Sequence, residues 1–191
     1  MSAAEFTVTS KDFYISKRTP GLEDGAATYD TPKPVCGIAE VAVAYTKNPV
    51  KIYESGRTIY NKTRIADATV TLSTHTMSLE QRMELYYSLK SEQATEGYIE
   101  GADTDTPQEV AIGWSVLLDG GKYFCTWFYL ATAAPSDESY KTSDDQGPKI
   151  EPMSIAFNCS RTEDGKLRRT KICADAEEMK KFFTSVEPVQ A

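Results

Sequence analysis

Histidine is almost missing: His75 is the only one in 191 residues. That count excludes a histidine-rich metal site and leaves any Cys–His nucleophile pair a single candidate. The candidate stands in LSTHTMS, at the end of a strand-like run with no catalytic signature beside it. Close cysteine pairs are missing too. Cys36, Cys125, Cys159 and Cys173 lie far apart with no C-x-x-C spacing, so a zinc site is not indicated. No apolar run approaches the length of a bilayer span, and MSAAEFTVTSKDF has neither a charged n-region nor an apolar h-region. The thiols are therefore expected to be reduced and buried, in a chain folded in the cytoplasm. Positive charge is in short supply, 21 basic against 28 acidic residues for a formal −7, and a negative surface repels phosphate. A glycine-rich phosphate loop is also lacking, since Gly120-Gly121 falls between two strand-like runs rather than before a helix.

Carboxylates are plentiful, and pairs such as Asp103/Asp105 and Asp144/Asp145 invite two readings, a glycosidase dyad or a calcium loop. GADTDTPQE has neither the loop length nor the closing glutamate of an EF-hand. The acidic stretches read as solvated loops. No catalytic residue, cofactor or metal is expected, and the chain is not expected to be an enzyme.

What is present is alternation. Phe6 to Ile15 reads as an opening strand, and KRTPGLEDGAATYDTPKP as a turn-rich loop over Lys17–Pro34. GIAEVAVAYT places Val41, Val43 and Tyr45 on one face, with Asn48-Pro49 read as its break. DATVTLSTHT points Val70 and Leu72 one way and Thr69, Thr71 and Ser73 the other. The period changes at MSLEQRMELYYSLKSEQ, where Ser78 and Gln81 form a capping box before a helix over Leu79–Leu89. Asp119-Gly120-Gly121 marks one hairpin and Glu163-Asp164-Gly165 a second. DAEEMKKFFTSV predicts a short closing helix capped by Asp175, with Met179, Phe182 and Phe183 on its buried side. The expected fold is mainly β: an antiparallel sandwich or open barrel with one flanking α-helix and a short C-terminal helix. It forms one domain over 1–191, with a flexible N-terminal arm over 1–11 and a C-terminal tail over 186–191.

One stretch resists this scheme. VKIYESGRTIYNKTRI alternates like a strand, yet charges and hydroxyls interrupt both faces, so neither suits a dry core. Residues 47–66 are expected to form an extended arm bending at Ser55-Gly56, with Lys51, Tyr53, Glu54, Arg57, Tyr60 and Arg64 as its candidate contact residues.

WFYLATAAPSDESYKTSDDQGPKIEPMSIAFNCSRTEDGK resembles the C-terminal half of the major tail proteins of long-tailed, non-contractile bacteriophages. VKIYESGRTIY resembles that family's Lys-aromatic-Tyr-acidic stretch, and EVAIGWSV with DGGKY fits its paired strands. The similarity runs from about Asp12 to Pro188 and rests on the order and spacing of these segments. The resemblance implies a virion protein, made and assembled in the host cytoplasm, whose hexameric rings stack into a hollow tail tube. It implies tape-measure, terminator and distal tail proteins as partners, DNA in transit without specific binding, and no membrane. Glu40, Glu54 and Asp67, on or beside the strands expected to line the bore, are the candidate lumen-facing acids. The loops Lys17–Pro34, Glu92–Glu109 and Pro135–Pro148 would serve ring stacking and tape-measure contact. Two alternatives stand beside this reading: a surface binding module with acidic calcium- or sugar-binding loops, and a tube protein of a contractile or secretion machine.

Overall fold

The computed structural model describes residues 7–21, 26–35, 37–54, 57–75, 77, 81, 85, 106–134 and 152–187, with backbone alone at 7, 8, 11, 50–54 and 57–62. Nine strands follow in chain order: β1 (Thr7–Thr19), β2 (Thr28–Tyr29), β3 (Lys33–Val35), β4 (Ile38–Glu54), β5 (Arg57–Thr74), β6 (Glu109–Leu118), β7 (Tyr123–Ala134), β8 (Met153–Ser160) and β9 (Arg168–Cys173). The helix α1 (Ala176–Phe182) closes the described chain. All strands belong to one antiparallel sheet in the order β2-β1-β6-β7-β8-β5-β4, with β3 also on β1 and β9 also on β7. The mainly-β class is as the alternation predicts.

The sheet folds over a first core. Phe13 of β1, Ile112 of β6, Phe128 of β7, Phe157 of β8 and Val70 and Leu72 of β5 are fully buried there. Val41, Val43 and Tyr45 pack against it from β4, on the face the sequence assigns them. Arg168 at the start of β9 donates a hydrogen bond to the Tyr45 hydroxyl and lies 5.3 Å from that ring's centre. A second core forms on the other side of β6 and β7, where α1 covers Trp127, Cys125 and Cys173 with Met179, Phe182 and Phe183. Asp175 caps α1 by accepting a 2.8 Å bond from the Glu178 amide; acids fill its first turn and lysines its last, complementing the helix dipole. Gly113 is required beneath this core, because a Cβ there would stand 2.6 Å from Cε3 of Trp127.

Several boundaries differ from the sequence reading. β1 starts at Thr7, inside the expected 1–11 arm, because Thr7–Ser10 pair with Val116–Leu118 of β6. The Lys17–Pro34 loop contains β2 and β3, both paired back onto β1. Asn48-Pro49 does not end β4. The strand continues to Glu54, and proline is tolerated because β4 is an edge strand. The second expected hairpin is absent: β8 and β9 do not pair with each other but run end to end along β7, interrupted by a turn at Thr162–Lys166. The 12-residue β7 is long enough to serve both. Val186, assigned to the tail, is buried in the second core. Of the helix expected over Leu79–Leu89, the described residues Gln81 and Leu85 are helical, with Leu85 buried in the first core. The rest of it, residues 1–6, Cys36, Ser55-Gly56, the pairs Asp103/Asp105 and Asp144/Asp145, and most of the two acidic loops lie outside the described residues. No described helix is long and apolar enough to cross a membrane.

Cys125, Cys159 and Cys173 are free thiols and buried. Burial pushes the Cys159 thiol up to about 12, and pushes Cys125 up as well, with the Cys173 thiol 3.6 Å away adding to the rise. Each thiol is therefore neutral in the fold at pH 8, and only the thiolate reacts. In a Cys36→Ser variant, no thiol should react with a disulfide reagent at pH 8 until denaturant is added, when three should. Because a raised thiol pKa favours folding below the unfolded value, that contribution is full under about pH 8.5 and is lost as pH rises toward the folded value. Rapid native labelling would contradict the buried placement.

Candidate assembly surface

The β4–β5 pair is longer than the sheet that holds it. β5 pairs with β8 only over Ala68–Thr74, whereas β4 and β5 stay paired from Ile38/Thr74 out to Glu54/Arg57. Beyond Thr46/Asp67 lie eight cross-strand pairs, Lys47/Ile65 to Glu54/Arg57, with no third strand among the described residues. At about 3.3 Å per residue this ribbon reaches roughly 25 Å past the sheet. The 47–66 arm is thus a two-stranded hairpin, and its limits are physical. The pairing skips Ala66 between Thr46/Asp67 and Lys47/Ile65, a β-bulge that bends and twists the strands where the ribbon leaves. A second irregularity falls between Ile52 and Tyr53. Arg161 pins the root: its Nη2 donates to the Ile65 carbonyl at 2.6 Å, and its Nη1 donates to the Gly165 carbonyl at 2.9 Å.

A two-stranded ribbon is marginal alone in water. None of its described side chains, at 47–49 and 63–66, belongs to either core. Of the six expected contact residues, Lys51, Tyr53 and Glu54 lie on its β4 limb and Arg57, Tyr60 and Arg64 on its β5 limb. Arg64 is exposed, as are Lys47, Asn48, Pro49 and Thr63 near the root.

Two further features adjoin the ribbon. β4 ends the strand order, so among the described residues no strand pairs its outer edge. An open edge of 17 residues is a template for pairing with another chain. The sheet face opposite the first core is exposed or half-buried over β4, β5 and β8, with no element packed on it among the described residues. Register places Glu40, Ala42, Ala44 and Thr46 in line with Ser73, Thr71, Thr69 and Asp67, and these with Ser154, Ala156 and Asn158. The face is small and hydroxyl-rich, with Ser73 and Ser154 hydroxyls 3.1 Å apart. Its only charges among those residues are acidic. The structure therefore brings Glu40 and Asp67, both exposed, onto one face at its opposite ends. It does not bring Glu54 there: Glu54 pairs with Arg57 at the ribbon tip, beyond both irregularities.

Sequence reasoning missed the bare face and Arg161. The face was legible in the alanines alternating with Val41 and Val43, since an exposed strand face of alanine serves no solvation purpose. Arg161 carried no signal, because its partners are backbone carbonyls 96 and four residues away.

No protein-family model matches the chain, and no curated protein matches it significantly.

Proposed function

We propose that this protein is a structural subunit that polymerises as stacked hexameric rings into a hollow tube of the phage-tail type, through which DNA passes without specific binding. The observation that carries the proposal is the β4–β5 ribbon. A hairpin that long, with no third strand and no edge partner among the described residues, is stabilised when a second copy supplies the missing neighbour. Repeated contacts of that kind close into rings when the rotation between copies closes, and ring closure removes the edge. The resemblance of the aromatic strand and acidic loops to major tail proteins supports the same reading. Tape-measure, terminator and distal tail proteins would then be its partners, and the assembled virion its location.

The bare face suits the wall of the bore. Small hydroxyl and methyl groups give a polymer no anchor, and Glu40 and Asp67 repel phosphate within about 8 Å at physiological salt. Negative-stain microscopy of concentrated protein tests the proposal: tubes or six-fold rings are expected, and a monomer at every concentration would refute it. The lumen assignment has its own test. Glu40→Lys with Asp67→Lys should leave assembly intact and slow DNA release from virions several-fold. Unchanged release kinetics would remove those two acids from the bore.

A further inference from the structure

β9 has one partner and a free side. The Tyr129 amide donates to the Leu167 carbonyl at 3.3 Å, and from there the β7–β9 register runs to Cys173 without a shift. Hydrogen-bonded residues alternate in an antiparallel pair, so Arg169, Lys171 and Cys173 bond inward to β7. Arg168, Thr170 and Ile172 turn their amides and carbonyls outward, where no strand among the described residues meets them. All three are exposed. Ile172, at 55%, is the only exposed large apolar side chain among the described residues.

The two faces of that edge differ. Arg168 lies over Tyr45 on one face, which Thr170 and Ile172 share by alternation. On the other, Arg169, Lys171 and Lys181 line an open cleft of about 770 Å³ between β9 and α1. Arg169 stacks on Phe182, its guanidinium carbon 4.4 Å from the ring centre, and its Nε is buried without a hydrogen-bond partner. Among the described residues neither Arg169 nor Lys181 has a carboxylate at ion-pair distance. Half-burial lowers the Arg169 pKa, and Glu187 offsets that only at longer range. The cleft's own carboxylate, Glu178, is already engaged: Lys171 Nζ stands 2.6 Å from Oε1, and the Ala174 amide donates to Oε2 at 2.7 Å. Three cations against one occupied acid leave the cleft positive on an acidic protein.

We propose that the outer edge of β9 accepts an added strand from a different protein, an extended segment alternating acidic with β-branched residues. Its acids meet Arg169 and Lys181 on the cleft side, and its apolar residues lie beside Ile172 on the other. Backbone bonds to Arg168, Thr170 and Ile172 supply affinity, and charge supplies selection, since the same cations repel a basic strand. A second copy is a poorer occupant because no described open edge of this chain alternates acids. The described side chains of β4 offer Glu40 and Lys47, and those of β2 and β3 offer Lys33 alone. Nucleic acid is poorer too: phosphates make no use of a strand edge, and 28 acids against 21 bases repel them. The site is separate from the ribbon and does not rest on the self-assembly reading.

The experiment titrates isotope-labelled full chain, dilute enough to be monomeric, with a peptide alternating glutamate and valine over six residues, the length of β9. The amide resonances of Arg168, Thr170 and Ile172 should move downfield as they gain acceptors. The affinity should fall about ten-fold or more between about 0.05 M and about 0.5 M salt. A peptide with lysine for glutamate, and an acidic peptide methylated on its backbone nitrogens, should each bind about ten-fold more weakly or worse. Arg169→Gln with Lys181→Gln, folded by its melting curve, should show a similar loss for the acidic peptide. No shift at those amides, or equal binding of the methylated peptide, would overturn the added strand. Unchanged affinity in the double variant would overturn the pairing of acids with the cleft. A single-stranded DNA oligonucleotide that displaces the acidic peptide would overturn the proposal in favour of nucleic acid. Wild-type polymerisation that the double variant loses would overturn it in favour of a second copy.

Discussion

Trp127→Ala is expected to lower the stability of the isolated subunit by about 3–5 kcal/mol, the range for emptying a buried aromatic site. Trp127 is fully buried between β7 and α1. Its Nε1 donates to the Phe182 carbonyl at 3.3 Å, its ring centre lies 5.4 Å from that of Phe183, and Gly113 leaves room for its other face. The cavity left by alanine cannot be filled from below, where the sheet backbone is fixed. α1 spans only seven residues, too short to persist without its apolar contacts. The melting temperature should fall by about 10 °C, and near-ultraviolet circular dichroism from the second core should weaken. A loss under about 1 kcal/mol would mean that α1 does not depend on the tryptophan.

Excising the ribbon should do the reverse, sparing the fold and abolishing assembly. Thr46 and Asp67 already face each other across the sheet, so residues 47–66 can be replaced by Asn-Gly, which favours the tight turn two paired strands need. None of the removed side chains that are described, at 47–49 and 63–66, is fully buried. Among the described residues, the main loss is the Arg161 bond to the Ile65 carbonyl, about 1 kcal/mol. The melting temperature should stay within a few degrees of wild type, and the concentration needed for rings or tubes should rise more than a hundred-fold. A trimmed chain that polymerises like wild type would place the essential contacts elsewhere.

Much of this was legible because period-two alternation reports burial on one face and exposure on the other. Val41, Val43, Val70 and Leu72 gave the inner face, and Asp175 with Phe182 and Phe183 gave the closing helix. Pairing between distant strands was less legible. Glu163-Asp164-Gly165 has hairpin chemistry, and Gly165 does adopt the expected positive φ of 76°. Yet the flanking strands prefer separate stretches of β7, a choice made by the length of β7 rather than by the turn. Pro49 misled for the opposite reason: it forbids a central strand, and only topology reveals that β4 is an edge. The arm was found because its pattern suits no interior. Its hairpin form and its bulge at Ala66 depend on register, which is a relation between strands rather than a property of one.

Amide hydrogen exchange over Lys51–Arg64 tests the central claim most directly. In a dilute monomer these amides should exchange at rates near those of a fraying hairpin, while the Val70–Thr74 stretch of the same strand stays protected by β8. In the polymer, protection over Lys51–Arg64 should rise by about a hundred-fold or more as a neighbouring copy covers the ribbon. Equal protection in the two states would mean that the hairpin is complete without a partner.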